Sequence, residues 1–151
     1  MHLLFVCTGN TCRSPLAEGI ARRLIAERQL TDLTVSSAGT SAWPESPASD
    51  GSLLVSLEQG IDISAHRARQ LSPEIVAAAD VILAMGPHHL ERAEALGGSG
   101  RSHMLTAFAG DEARAVSDPF GGDLDVYRAT YRELEHEIGG ILDAITRQRQ
   151  G

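Results

Sequence analysis

Lysine is missing altogether from this 151-residue chain: all 13 basic residues are arginine. We read this as a compositional habit of the source, not a functional device. The formal net charge is −7 and no basic cluster stands out, so nucleic acid is not an expected partner. No apolar run approaches ~18 residues, and no basic leader precedes the first apolar stretch. Neither a membrane span nor a secretory signal is therefore expected, and the expected compartment is the cytoplasm. Cysteine is nearly absent, with only Cys7 and Cys12, both in one short stretch. A bridge between them would staple nothing distant, which excludes a structural disulfide framework. A zinc site would need about two more ligands, and none is spaced for it, so no metal is expected. Reactive thiols are what remain.

What the chain does contain is ordinary for a globule, 42% hydrophobic and 22% charged, at a length that fits one domain over 1–151. Leu3-Leu4-Phe5-Val6 reads as a buried strand. From Pro15 onward, apolar side chains at Leu16, Ile20 and Leu24 and at Ala17, Ala21 and Ile25 keep a helical period. Ser14 suits its N-cap and Pro15 its first turn. Leu33 to Ser36 reads as a second strand ending at Ala38-Gly39. A Pro/Ser-rich loop from Ser41 to Ser52 enters a helix over Leu53 to Gln59, closed by Gly60. Ser72-Pro73-Glu74 opens a helix through Ala79, and Val81 to Met85 is a strand covered on both faces.

A helix over His88 to Leu96, a turn at Gly97 to Gly100 and a short fourth strand from Ser102 to Leu105 follow. An irregular segment then carries Asp118-Pro119-Phe120-Gly121-Gly122. The last helix runs from Leu124 to Arg147, with Leu134, Ile138, Ile141, Leu142 and Ile145 inward. Strands alternating with helices predict an α/β fold: one three-layer domain, a four-stranded parallel sheet flanked by helices, with a phosphate-binding loop after the first strand.

That loop is Cys7-Thr8-Gly9-Asn10-Thr11-Cys12-Arg13-Ser14. Chance alone supplies a C-x5-R roughly one time in six in a chain with these cysteine and arginine counts, so its context carries the weight. Here the motif follows a buried strand, holds Gly9 where backbone must approach a ligand, and feeds a helix N-terminus. Such a ring of backbone N–H groups binds a tetrahedral oxyanion and places a thiol to attack it. A free thiol with a pKa of ~8.5 is mostly protonated at neutral pH, whereas loop amides, the helix dipole and Arg13 favour the thiolate. Ser14, beside the ring, has a hydroxyl to donate to that sulfur. Phosphoryl transfer to sulfur also needs a proton for the leaving group, and Asp118, in a Pro/Gly-rich flap beside Phe120, is the candidate acid.

The two motifs together resemble the low-molecular-weight protein tyrosine phosphatase family. Ser37-Ala38-Gly39-Thr40, Trp43 and His66-Arg67-Ala68-Arg69-Gln70 match further family segments in order, so the likeness spans essentially the whole chain. The resemblance implies Cys7 as the nucleophile forming a phosphocysteine, Arg13 as a bidentate phosphate clamp, and Asp118 as acid and then base. Thr8, Gly9, Asn10, Thr11, Cys12 and Ser14 would bind the phosphate, with Trp43 and Phe120 at the substrate. Asn10 would hold the loop through Ser14, Ser37 and His66, and Cys12 would be the second thiol that pairs reversibly with Cys7 on oxidation. Phosphorylated proteins are the implied partners of a monomer that needs no cofactor.

Thr11 departs from the eukaryotic-type enzymes, which carry a bulkier aliphatic residue there, and resembles the bacterial protein arginine phosphatase branch. So does the run from Asp118 to Tyr127. Phosphoarginine is the expected substrate, with phosphotyrosine the alternative. Thiol-dependent arsenate reductases share the loop but use additional downstream cysteines, and none follows Cys12. A non-catalytic phosphate-binding module would be expected to have lost Cys7, Arg13 or Asp118, and all three are present.

Overall fold

The first strand, β1 (His2–Cys7), sits in the middle of the sheet, and its alternating side chains organise both layers around it. Leu3, Phe5 and Cys7 join one buried cluster, while Leu4 and Val6 join a second on the opposite face. A strand buried on both faces has no polar positions to spare, which is why this segment reads as a continuous apolar run. The computed structural model describes residues 1–150; Gly151, the end of the expected 1–151 domain, lies outside the described residues.

Four strands, β1, β2 (Thr34–Gly39), β3 (Val81–Ala84) and β4 (Ser102–Met104), form an all-parallel sheet in the order β2-β1-β3-β4. Strand order reverses beside β1, so the crevice beyond its carboxyl end is where an open parallel sheet binds ligands. Helices α1 (Arg13–Glu27), α2 (Asp50–Glu58) and α6 (Leu124–Gln150) cover the face of Leu3 and Phe5. Helices α3 (Pro73–Ala77) and α4 (Pro87–Ala93) cover the other. On α6, Leu134, Ile138, Ile141, Leu142 and Ile145 are all buried, the stripe that its period predicts. No helix among the described residues is long and apolar enough to cross a membrane.

Several boundaries differ from the sequence reading. Helix α1 begins at Arg13, two residues before Pro15, and its N-cap is Cys12, which offers no side-chain hydrogen bond. Ser14 is therefore inside the helix and is not its cap. Helix α2 starts at Asp50, three residues before Leu53, because Ser49 accepts from the Ser52 amide and caps it. Helix α3 stops at Ala77, and α4 starts at Pro87 and runs into a π-helical turn over Glu94–Gly98. Gly97, at φ 108°, is a left-handed residue that kinks the backbone inside it. The segment after β4 was expected to be irregular but opens with one helical turn, α5 (Leu105–Phe108), whose Leu105 and Thr106 are buried. The last helix runs three residues past Arg147.

Candidate active site

The loop between β1 and α1 spans only Thr8 to Cys12, and it closes around Asn10, which takes the left-handed conformation at φ 57°. Asparagine tolerates that region better than most residues. Every polar group of its side chain is used. Nδ2 donates to Ser14 Oγ (2.8 Å) and Ser37 Oγ (2.9 Å), and Oδ1 accepts the Arg69 amide (2.9 Å). Its carbonyl lies 2.7 Å from His66 Nε2, so Asn10 ties the loop to β2 and to the 66–69 segment. The fixation continues outward: Ser37 donates to Glu18 Oε1 at 2.6 Å, and Arg69 Nε donates to the Ser37 carbonyl. A fully satisfied buried network of this kind rigidifies what it holds.

Glycine matters here at a position other than the loop's own. A Cβ on Gly39 would lie 2.4 Å from the Thr8 carbonyl and 2.9 Å from the Asn10 amide, so the loop packs directly on the end of β2. At Gly9 the same test meets nothing nearer than Thr11 Oγ1 at 3.4 Å, an ordinary contact, so crowding by the protein does not require that glycine.

Cys7 is 2% exposed, and its Sγ lies 2.9 Å from Ser14 Oγ. Because Asn10 already donates to that hydroxyl, the Ser14 proton is free to point at sulfur. Since no side chain caps α1, its first-turn N–H groups also remain available to an anion, with the positive end of the helix dipole behind them. Arg13, only 6% exposed, donates Nη1 to the Val116 carbonyl (3.1 Å), and its Nη2 lies 3.5 Å from Asp118 Oδ2. Asp118 in turn accepts the Phe120 amide at 3.1 Å. A hundred residues of chain separate the two motifs, and Arg13 joins them.

Cys7 and Cys12 are both free thiols. Cys12 Sγ meets Ser49 Oγ and Tyr127 hydroxyl, each at 3.4 Å, and lies 3.9 Å from the hydroxyl of half-buried Thr11. Trp43 and Phe120 are 82% and 80% exposed, so their rings stand in solvent and are not packed against the loop. Asp111, His136 and Glu137 bring three potential metal ligands within 4.8 Å of one another, on elements that take no part in this loop.

Residues that sequence reasoning missed are Glu18, Arg69, Gly39, Ser49, Tyr127 and His89. Glu18 stands four residues after Ser14 on α1 and so shares its helix face, a signal the period contained. Nothing local marks His89. It is buried, Nε2 lies 2.8 Å from Thr8 Oγ1, and Nδ1 has no hydrogen-bond partner among the described residues. Burial, with the charge of Arg13 nearby, pushes its pKa down to about 4. The folded protein thus binds this proton less readily than the unfolded chain. Stability from His89 is complete above its ordinary value of 6.5 and is lost as pH falls toward 4. Between pH 7 and 4.5 the wild type should lose roughly 2–3 kcal/mol more than His89→Gln in urea unfolding. Equal losses would show that His89 charges as readily folded as unfolded.

A model of the low molecular weight phosphotyrosine protein phosphatase family matches residues 2–151. The chain is 34% identical to the protein-arginine-phosphatase of Bacillus subtilis over 99% of its own length and 100% of that protein's. It is 38% identical to the low molecular weight protein-tyrosine-phosphatase PtpB of Staphylococcus haemolyticus, over 93% of this chain and 97% of the other. Its fold is similar, with a TM-score of 0.92 and 34% identity over 99% of both chains, to a YwlE arginine phosphatase whose cysteine-to-serine variant bears a phosphorylated active site serine.

Proposed function

The chain belongs to the low molecular weight phosphotyrosine protein phosphatase family, and from that premise we propose that it hydrolyses phosphoarginine in proteins through a phosphocysteine on Cys7. That it is a cysteine-based phosphatase, a hydrolase, follows from the family. The observation that carries the mechanism is the joining of Cys7, Arg13 and Asp118: sulfur on the strand end, guanidinium at the helix start, and a carboxylate held 3.5 Å from that guanidinium.

In the first step the Cys7 thiolate attacks phosphorus, the P–N bond of phosphoarginine breaks, and Asp118 delivers its proton to the departing guanidine nitrogen. Loop amides and Arg13 hold the three equatorial oxygens, where charge develops. In the second step the Asp118 carboxylate takes a proton from water, the water oxygen attacks phosphorus, and the S–P bond breaks. Phosphate leaves and the thiolate returns, with Ser14 donating to the sulfur as its charge reappears. The YwlE variant with a phosphorylated active site serine supports covalent transfer to this loop position.

Two things support phosphoarginine as substrate. Relatives named arginine phosphatases match over 99% and 95% of the chain, and Thr11 places a small polar side chain on the loop, where a bulkier aliphatic residue would offer an apolar wall to an aromatic ring. The alternative, phosphotyrosine, has its own support in PtpB of Staphylococcus haemolyticus. Turnover on matched phosphoarginine and phosphotyrosine peptides tests the reading, with the wild type expected to prefer phosphoarginine. Thr11→Ile should move the ratio toward phosphotyrosine by roughly 10- to 200-fold, the effect typical of one such pocket change. A wild type that prefers phosphotyrosine, with a ratio unmoved by Thr11→Ile, would overturn it.

A further inference from the structure

A cavity of about 710 Å³ lies behind the loop, between α1, the end of β2 and the 60–69 segment, and the mechanism above makes no use of it. Its charge is out of keeping with the rest of the molecule. Four of the chain's 13 arginines, Arg22, Arg23, Arg67 and Arg69, line it, in a protein whose net charge is −7. Two of these are neutralised on α1: Arg22 pairs with Glu18 and Arg23 with Glu27. Arg67 and Arg69 have no carboxylate within 4.0 Å among the described residues. Arg67 donates to the carbonyls of Ser64 and His66, and Arg69 Nε to that of Ser37. Asp62, the cavity's second carboxylate, is already engaged by the Ser64 amide at 2.8 Å. The floor is apolar, with Ile61 and Ile63 so close over Gly19 that a Cβ there would meet Ile63 at 2.9 Å.

Two unpaired guanidinium groups over an apolar floor, in a concave site, suit a phosphate-bearing ligand, because guanidinium donors match phosphate oxygens in pairs. The site is also wired to the loop. Arg69 gives its amide to Asn10 Oδ1, and His66, on the cavity wall, meets the Asn10 carbonyl. Those are two of the bonds that hold Asn10 in its left-handed conformation. We propose that this cavity is a second, regulatory phosphate site, and that a ligand drawing on Arg67 and Arg69 slackens Asn10 and lowers the turnover of the loop it supports. A phosphorylated metabolite and inorganic polyphosphate present the same chemistry here.

Inorganic pyrophosphate is the probe. Amide NMR of the protein saturated with vanadate, which occupies the Cys7 loop, should show pyrophosphate-dependent shifts at Gly19, Asp62, Arg67 and Arg69. Arg67→Glu should abolish them while leaving hydrolysis without pyrophosphate within twofold of wild type. Kinetically, pyrophosphate should lower kcat at saturating substrate by at least threefold in the wild type and not in Arg67→Glu. Shifts confined to Gly9–Ser14, shifts that survive Arg67→Glu, or inhibition that saturating substrate fully relieves would each overturn the proposal. Longer polyphosphate chains and phosphorylated metabolites, titrated in the same way, distinguish the sources. The binding arm needs no turnover, so an inactive protein would sink the phosphatase mechanism and leave this site still decided.

Discussion

Cys7→Ser should abolish turnover, by at least roughly a thousandfold in kcat, while leaving the fold and oxyanion binding in place. A serine hydroxyl is hardly ionised at neutral pH, so the loop amides, the helix dipole and Ser14, 2.9 Å from the sulfur, have no anion to stabilise at that atom. The rest of the ring does not depend on sulfur. Asn10 is held by Ser14, Ser37, the Arg69 amide and His66, and Arg13 by Val116 and Asp118. Phosphate should therefore bind the variant within about threefold of wild type by calorimetry, and the melting temperature should move by no more than about 4 °C, the equivalent of ~1 kcal/mol in a domain of this size. Where the substituted serine does accept a phosphoryl group, the intermediate should persist long enough to appear in the intact mass. Activity within tenfold of wild type would remove Cys7 from the nucleophile's place.

The parts of this site that could be read from the sequence are those in which local chemistry and local structure coincide. The apolar run into Cys7, the helical period after it and the alternation of strands and helices place the loop at the end of a central strand without reference to any distant residue. What holds the loop in shape was not legible in the same way. Asn10 takes its bonds from Ser14, but also from Ser37, His66 and Arg69, between 27 and 59 residues away, and spacing does not reveal which of several polar residues will meet it. The resemblance supplied Ser37 and His66; neither it nor the pattern supplied Glu18 or His89.

Ser14 shows how a local rule misleads. Ser-Pro reads as cap and first turn, yet the loop's closure pulls the helix start back to Arg13, and that turns the serine hydroxyl inward to Cys7. Gly39 was visible only as part of a matching segment. Its physical reason, a carbonyl of the loop 2.4 Å from where a Cβ would stand, exists only once β2 is paired with β1. Trp43 and Phe120 are named by the resemblance alone, and their rings are exposed to solvent.

Asp118→Asn should cost roughly 10²- to 10⁴-fold on phosphoarginine and on alkyl-type phosphates, and much less on an activated aryl phosphate. The difference follows from the leaving group: a guanidine or alkoxide departs poorly without a proton, whereas a nitrophenolate needs none. Asparagine is the right probe because it removes the proton and the charge but little else. Its carbonyl oxygen can still accept the Phe120 amide that shapes the turn at 3.1 Å. The segment also stays anchored by Arg13 on the Val116 carbonyl, by the Val116 amide on the Met85 carbonyl at 2.8 Å and by the Ser117 amide on Glu133. Asp118 itself is half exposed, so its pairing with Arg13 at 3.5 Å contributes no more than ~1 kcal/mol, and the melting temperature should hardly change. A stable variant with a leaving-group-dependent defect fits proton delivery. A loss equal on both substrate types would instead make Asp118 a residue that orients Arg13, which both substrates share. In that case KM should rise on both substrate types while kcat holds on both.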